Sequence, residues 1–148
     1  MNGGGDYEHG SAVLVAEAAV LIRGPSGSGK SLLALALMAE ARRRGLFTRL
    51  IGDDRVAVSL AGVHVLVRGH PSIEGWIEER GSGILSEVPE PAGLVRCVVD
   101  LAEDPPRLPE EEVSQVLLRG VRVPALALRR DCPPQEGARR VLAFLKWA

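Results

Sequence analysis

The chain has 148 residues, 46% of them hydrophobic and 25% charged, and its net charge at pH 7 is −1. This composition is typical of one globular domain, and the near-neutral charge gives no reason to expect nucleic acid or an anionic membrane as a partner. No apolar run is long enough to span a bilayer, and the start of the chain lacks the basic segment of a signal peptide. Two isolated cysteines, Cys97 and Cys132, match neither a metal site nor a disulfide framework, so we expect reduced thiols in a cytoplasmic protein.

The first part of the chain predicts a flexible lead-in, a strand pair and a helix. Residues 1–8 are rich in glycine and polar groups, which favours a flexible N-terminus before a single domain at 9–148. Two short valine-rich stretches, Ala12–Val15 and Ala18–Arg23, indicate paired strands. The leucine- and alanine-rich run after them predicts a helix that ends near Arg42–Gly45, where cations and a glycine favour termination.

The rest of the chain predicts more strands than helices. Five further strands are expected, the second and third of them forming a hairpin: Phe47–Ile51, Arg55–Leu60, Val63–Val67, Leu94–Leu101 and Val121–Leu128. A helix is expected from Pro71 through Trp76 and Ile77, because proline is favoured in a first helical turn, and another over Gln135–Trp147. The acidic, proline-rich segment 103–112 is expected to be an exposed loop. Because hairpins interrupt the βα alternation, the sequence predicts an α/β fold with a mixed sheet.

The run between the second strand and the first helix fits the phosphate-binding P-loop pattern G-x-x-x-x-G-K-[ST] at every fixed position. Its residues are Gly24, Pro25, Ser26, Gly27, Ser28, Gly29, Lys30 and Ser31. The glycines let backbone N–H groups turn towards a di- or triphosphate, the lysine can reach the terminal phosphates, and the serine hydroxyl can bind Mg²⁺. A chance glycine-rich loop is the alternative, but the strand–loop–helix order is the context that the motif requires. The segment predicts nucleotide binding without saying which reaction follows.

Charged residues elsewhere supply the candidates for chemistry. Asp53 and Asp54 end a predicted strand and could divide two tasks, holding Mg²⁺ and orienting or deprotonating the attacking oxygen; the alternative is a plain turn. Glu78 could complete a metal shell and Arg80 could clamp phosphate oxygens, although a solvated helix end explains both on pattern alone. His9 could handle protons or contact phosphate, against the default of an exposed histidine.

Taken in chain order, these motifs resemble those of the catalytic domain of the bacterial HPr kinase/phosphorylase family. The matching pieces are His9-Gly10 with the valines after it, the P-loop, the Asp53-Asp54 pair, and the signature Glu-Glu-Arg-Gly-Ser-Gly-Ile at Glu78–Ile84. Arg68–Pro71 also resembles the lead-in to that signature. The resemblance covers roughly residues 9–101. The P-loop is shared by many families, whereas the combined set is much more specific.

The resemblance implies an ATP- and Mg²⁺-dependent protein serine kinase whose partner is HPr, the small phosphocarrier of a bacterial phosphotransferase system. It also implies a fold similar to the nucleotide-binding core of phosphoenolpyruvate carboxykinase. Carried over by position, the catalytic residues are Asp54 (favoured as the base), Asp53, Lys30, His9 and Arg80, and the metal ligands are Ser31, Glu78 and Asp53. Long members of the family are hexamers, which leaves a homo-oligomer open. No nucleic acid or membrane partner is expected.

The chain also departs from the family pattern. It looks like a short form without the N-terminal domain of the long members, and Ser86 stands where the signature usually ends in asparagine. The family's Pro-x-Arg-Pro-Gly-Arg-Asn loop, tied to the reverse reaction, has no clean counterpart. The nearest stretch is Leu128–Pro134, where Arg129 and Arg130 could clamp phosphate or could be ordinary surface arginines. We therefore expect kinase activity with weak or absent phosphorolysis.

Two other functions fit the P-loop. A kinase or NTPase acting on a small molecule would turn over ATP with no transfer to protein, but the chain has no obvious arginine-bearing lid to exclude water. A non-enzymatic ATP sensor would bind nucleotide without any transfer. The presence of Lys30, Asp53, Asp54 and Glu78 together favours chemistry over sensing.

Overall fold

The computed structural model describes residues 7–70, 76–79, 83–86, 89–104 and 114–146, with 76–79 and 83–86 described as backbone. The strands in these ranges are β1 (Tyr7–His9), β2 (Ser11–Val15), β3 (Ala18–Arg23), β4 (Thr48–Gly52), β5 (Arg55–Ala61), β6 (His64–Gly69), β7 (Trp76–Glu79), β8 (Gly83–Ser86), β9 (Ala92–Ala102), β10 (Gln115–Leu118) and β11 (Val121–Arg129). The helices are α1 (Lys30–Arg43) and α2 (Pro134–Phe144).

Most of these strands belong to one mixed sheet. Seven of them follow the order β1-β5-β6-β9-β3-β2-β4, β11 also pairs with β9, and β10 pairs with β11. The central strand β9 is parallel to β3 and to β11, whereas β6 pairs with it antiparallel. The β2–β3 pair and the β5–β6 hairpin are antiparallel, as predicted. The α/β fold with a mixed sheet is therefore confirmed.

The centre of the sheet is buried on both faces. Alternate residues of β2 and β3 point in opposite directions, since successive side chains of a strand lie on opposite faces. One set packs under the two helices and the other under the residues of the β5–β6 hairpin and β11. Every residue of β2 is buried, and after Ser11 the strand is a continuous apolar run without polar alternation.

Two features differ from the sequence-based expectations. Trp76 and Ile77 lie in β7, which pairs antiparallel with β8, so the helix predicted there is wrong at these positions; Pro71 and Ile73 lie outside the described residues. β10 was not predicted, and it forms a hairpin with β11 around Gly120. Residues 105–112 of the predicted acidic loop also lie outside the described residues.

The last residues of the predicted flexible lead-in form an ordered strand. β1 begins at Tyr7 and pairs with β5, while residues 1–6 lie outside the described part of the chain. Arg119 stabilises this strand, because it forms an ion pair with Glu8 at 3.0 Å and donates a hydrogen bond to the Val58 carbonyl at 3.3 Å. The composition of residues 1–8 contains no sign of these long-range contacts.

The C-terminal end of α1 predicts a pH-dependent contribution to stability. Hydrogen bonds from Arg43 and then Arg44 lower the pKa of Glu40 from 4.5 to about 2. A depressed carboxyl pKa stabilises the fold above the unfolded value, and this stabilisation is lost as pH falls through the folded value. Glu40→Gln should therefore lower the melting temperature at pH 7, and the difference from wild type should close between pH 4.5 and pH 2. Glu17→Gln, at an exposed turn, is the matched control; a gap that stays constant with pH would contradict the prediction.

Candidate active site

The glycine-rich loop of residues 24–31 joins β3 to α1 and is held in a tight conformation. Gly29 precedes the helix with φ of 99°, a left-handed conformation that favours glycine. At Gly24 a side chain has no room, since a Cβ would lie 2.6 Å from Ser28 Oγ and 3.1 Å from the Leu101 carbonyl oxygen. The Ser28 N–H also donates to the Pro25 carbonyl at 3.0 Å. The loop thus wraps closely around the start of the helix.

Lys30 lies inside the curve of the loop. Its side chain is 7% exposed, and its ammonium donates to the carbonyl oxygens of Gly24 at 2.9 Å and Pro25 at 3.1 Å. An ammonium group has three donors, so two hold the loop and one is left to contact an anion. The lysine therefore stabilises the loop, and the binding of phosphate by its remaining donor stays a prediction.

The N-terminus of α1 is suited to an anion. Among the described residues no side chain caps it, and its first turn contains no acidic residue. The first N–H groups of a helix have no partner inside the helix and carry a partial positive charge, which together favour phosphate. Ser28, which is 3% exposed, adds a buried hydroxyl with no hydrogen-bond partner among the described residues.

An aspartate from β4–β5 meets the loop directly. Asp53 accepts hydrogen bonds from Ser31 Oγ, at 2.7 Å to Oδ1 and 3.0 Å to Oδ2. It also accepts one from Ser11 Oγ at 2.6 Å. Ser11, which lies on β2 and is fully buried, was missed from the sequence, because a single serine in an apolar strand matches no motif. The structure thus brings together Ser31 and Asp53, both predicted as metal ligands.

Asp54 has an unusual backbone and an exposed side chain. Its φ is 70°, a left-handed conformation that is rare for residues other than glycine, asparagine and aspartate. Its N–H donates to Ser11 Oγ at 3.4 Å and its carbonyl accepts from the Gly10 N–H at 3.1 Å. Neighbouring His9 pairs with Arg55 in the β1–β5 register, and its side chain is exposed. The backbone near His9 therefore lies next to the aspartate pair.

Removing the Ser11 hydroxyl should destabilise the protein. In Ser11→Ala, Asp53 loses one donor and the Asp54 N–H loses its acceptor in a partly buried setting, so the free energy of unfolding should fall by about 1 kcal/mol or somewhat more. Urea denaturation measures this change. Ser59→Ala, at a half-buried serine on β5, is the control and should change stability much less. Equal losses in the two variants would argue against the role of Ser11.

Two charged groups lie at the carboxyl ends of the parallel strands beside the loop. Arg23 of β3 holds Asp100 of β9 through two hydrogen bonds, of 2.8 and 3.1 Å. The hydrogen bond from Asp100 raises the pKa of Arg23 above its ordinary value, although partial burial acts in the opposite direction. This pair links β3 to β9 just before the loop begins. Both oxygens of the Asp100 carboxylate accept hydrogen bonds from Arg23.

The two arginines after β11 have different surroundings. Arg129 forms a bidentate ion pair with Asp131, at 3.0 and 3.2 Å. Arg130 instead approaches the loop, since it donates to the Gly27 carbonyl at 3.5 Å and to Glu103 at 3.4 Å. Of the pair considered as a phosphate clamp, Arg130 is the one whose side chain lies at the loop.

Glu78 and Arg80, the predicted site residues of the signature segment, are only partly described by the structure. Arg80 lies outside the described residues, and Glu78 is described through the backbone of β7. Cα atoms of that strand lie within 8 Å of Cα atoms of α1. Among the side chains that the structure describes, no three His, Cys, Asp or Glu residues cluster as a metal site. The Ser31 and Asp53 oxygens still fit Mg²⁺, because this ion prefers hydroxyl and carboxylate oxygens, and the role of Glu78 as a metal ligand stays a prediction.

The family model described as the HPr serine kinase C-terminal domain matches residues 5–93, which is more than half of the chain. The chain belongs to this family. The match includes the glycine-rich loop, the aspartate pair and the Glu78–Ile84 signature, so the resemblance seen in these motifs is confirmed.

Two curated relatives carry the description HPr kinase/phosphorylase. The one from Mycoplasma mycoides subsp. mycoides SC is 38% identical over 81 residues, which cover 55% of this chain and 24% of that protein. The one from Prosthecochloris aestuarii is 36% identical over 78 residues, which cover 52% of this chain and 21% of that protein. The matched region thus spans about a quarter or less of each relative.

A solved structure has the same fold. The Hpr(Ser) kinase/phosphatase from Coxiella burnetii aligns with a TM-score of 0.72 over 94% of this chain and 95% of that chain, at 21% identity. This similarity bears on the fold alone. In the described part of this protein, no helix is long and apolar enough to cross a membrane.

Proposed function

We propose that the protein is an ATP- and Mg²⁺-dependent kinase that phosphorylates a serine of HPr, the phosphocarrier of a bacterial phosphotransferase system. Membership of the HPr serine kinase family supports the kinase reaction, and the names of the two relatives support HPr as the partner. A cytoplasmic location, a homo-oligomer and a core similar to phosphoenolpyruvate carboxykinase stay predictions.

One observation carries the proposal. Ser31 of the glycine-rich loop donates to Asp53 at 2.7 Å, and Ser11 links Asp53 to the backbone of Asp54. A loop suited to phosphate and a carboxylate pair suited to proton transfer therefore share one site. Phosphoryl transfer needs both parts, because the phosphates must be held in place and the attacking oxygen must be oriented.

The residues can be assigned to the steps of the reaction. The serine oxygen of HPr bonds to the γ-phosphorus of ATP while the bond from that phosphorus to the β–γ bridging oxygen breaks, and ADP leaves. Asp54, whose side chain is exposed, takes the serine proton. Lys30 donates to oxygens of the β- and γ-phosphates. Ser31, Asp53 and Glu78 would hold Mg²⁺, which would supply positive charge beside the transferring phosphoryl group.

Phosphorolysis is proposed to be weak or absent. In that reaction inorganic phosphate attacks phosphoserine, which regenerates the serine and forms pyrophosphate. The loop after β11 offers two arginines, and Arg129 is already paired with Asp131. Release of phosphate from phospho-HPr at millimolar inorganic phosphate, with pyrophosphate formed, would contradict this part of the proposal.

Transfer of label tests the kinase proposal directly. The protein is incubated with Mg²⁺, γ-labelled ATP and HPr from the same bacterium, and labelled residues are identified. Label on a serine of HPr supports the proposal. ATP turnover with label on a metabolite and none on protein would favour a small-molecule kinase, and nucleotide binding without turnover would favour a sensor.

A further inference from the structure

One edge of β9 is shared by two strands. β3 pairs with residues 95–100 and so occupies the other edge. On the shared edge, β6 pairs antiparallel with residues 92–94, and β11 pairs parallel with residues 98–102. Among the described strands, none pairs with residues 95–97 on this edge. The sheet therefore forks here, with β6 on one side of the gap and β11 on the other.

Arg96 is an extra residue on β9 at this fork. On the β3 side, Ala19 pairs with Val95 and Val20 pairs with Cys97, so Arg96 has no counterpart in the register. Such a β-bulge bends the strand and redirects a side chain, and bulges are frequent beside functional sites. The Arg96 side chain is exposed and lines a cavity in the fork.

The cavity in the fork has a volume of about 190 Å³ and an apolar wall. Valines from all three strands form this wall, among them Val65, Val95 and Val123, and each of these is at most 7% exposed. The volume is below the roughly 300–1,000 Å³ of pockets for drug-sized ligands, so it suits a smaller molecule.

The polar side chains of the cavity are all basic. They are His64, Arg96 and Arg122, and no aspartate or glutamate of the described residues lines the cavity with them. Within the described part of the chain, the side chains of these three residues form no hydrogen bond or ion pair. Two guanidinium groups on one cavity repel each other, and a bound anion would relieve this repulsion.

We propose that the fork binds a small dicarboxylate, with its carboxylates on Arg96 and Arg122 and its carbon chain against the valines. A guanidinium group matches a carboxylate with two parallel hydrogen bonds. His64 can donate a further hydrogen bond in either protonation state. An inorganic oxyanion would leave the apolar wall uncovered, which favours an organic anion.

A peptide strand suits the gap less well than a small ligand. The Ala125 N–H donates to the Ser114 carbonyl at 2.8 Å, on the β10 side of β11. Successive N–H groups of a strand point to opposite edges, so position 124 would donate into the fork. Pro124 has no N–H, so a strand added here would lose a hydrogen bond.

The fork is separate from the glycine-rich loop. Asp100, which pairs with Arg23 just before the loop, follows Arg96 by four residues, a distance of about 13 Å along an extended strand. No residue of the loop lines the cavity. Binding at the fork therefore requires no nucleotide at the loop and goes beyond the proposed function.

Calorimetry at constant ionic strength tests this site, with succinate as the probe. Butyrate is similar in size but has one carboxylate, so succinate should bind roughly tenfold more tightly or better. Arg96→Gln and Arg122→Gln should each weaken succinate binding by roughly tenfold or more, because each removes a charge-assisted pair. Arg139→Gln, at an exposed arginine of α2, is the matched control and should bind succinate as the wild type does.

Thermal unfolding without ligand checks that the variants fold, and Arg122→Gln decides the question if the change at the bulge does not. Lys30→Met should keep wild-type affinity for succinate; a loss there would place the anion at the loop and overturn the site in the fork. No binding of succinate to the wild type at millimolar concentration, or equal binding by the three arginine variants, would also overturn it. Sulfate that bound as tightly as succinate would overturn the dicarboxylate assignment.

Discussion

Replacing Lys30 by methionine should lower the rate of phosphoryl transfer to HPr by roughly 100- to 1,000-fold, as loss of one donor to a transferring group commonly does. Methionine keeps most of the apolar length of the lysine side chain but has no ammonium to bind phosphate. The lost hydrogen bonds to the Gly24 and Pro25 carbonyls should cost only about 1 kcal/mol of stability, because Pro25 is exposed and water can replace the donor. Transfer of label from γ-labelled ATP measures activity, and thermal unfolding checks the fold.

The chain offers a matched control for this variant. Its other lysine, Lys146, is exposed after α2. Lys146→Met should retain the activity of the wild type. If Lys30→Met transferred phosphate at the wild-type rate, the loop would not be the site of the reaction.

Replacing Asp54 by asparagine should reduce transfer by roughly 100- to 10,000-fold while leaving ATP binding nearly unchanged, because it removes a general base. Asparagine is the appropriate substitution at this position. It is similar in size and also tolerates the left-handed conformation with φ of 70°, so the backbone next to Ser11 should be preserved. Alanine would combine the loss of the carboxylate with backbone strain.

Asp53→Asn distinguishes the two aspartates. Asp53 accepts from both Ser11 and Ser31, and it is assigned to the metal. Its variant should need a higher Mg²⁺ concentration for half-maximal activity, whereas Asp54→Asn should keep the wild-type requirement. Titration of activity with Mg²⁺ checks this, and the opposite pattern would exchange the two roles.

Elements with a strong local pattern could be predicted from the sequence. The β2–β3 pair, α1, the β5–β6 hairpin, β9, β11 and α2 were all predicted to within a few residues. Each combines an apolar run of suitable length with a glycine, proline or charged residue at its end. Such signals depend on neighbouring residues, so they can be read without knowing the tertiary structure.

The strands that the sequence analysis did not predict have a common physical cause. β1 and β10 are short, and tertiary pairing stabilises them, with β1 on β5 and β10 on β11. Trp76 and Ile77 follow a proline at a spacing that also suits a helix, but the pairing of β7 with β8 prevails. Local patterns could not reveal these partners.

In the candidate site, too, the residues that belong to a local motif could be predicted and those that depend on long-range contacts could not. The loop and the aspartate pair could be located from their motifs, and the structure brings Ser31 and Asp53 into contact across 22 positions of sequence. Ser11 required the structure, because its bond to Asp53 spans 42 positions. The roles assigned to these residues stay predictions until the variants are measured.

The position of β9 in the sheet has a practical consequence for shortened versions of this protein. The family match ends at Gly93, near the start of β9, although β9 continues to Ala102 and pairs with both β3 and β11. A fragment cut at this boundary would leave β3 with a bare edge, and exposed strand edges recruit other chains and aggregate. A version intended to remain monodisperse should therefore extend at least through β11.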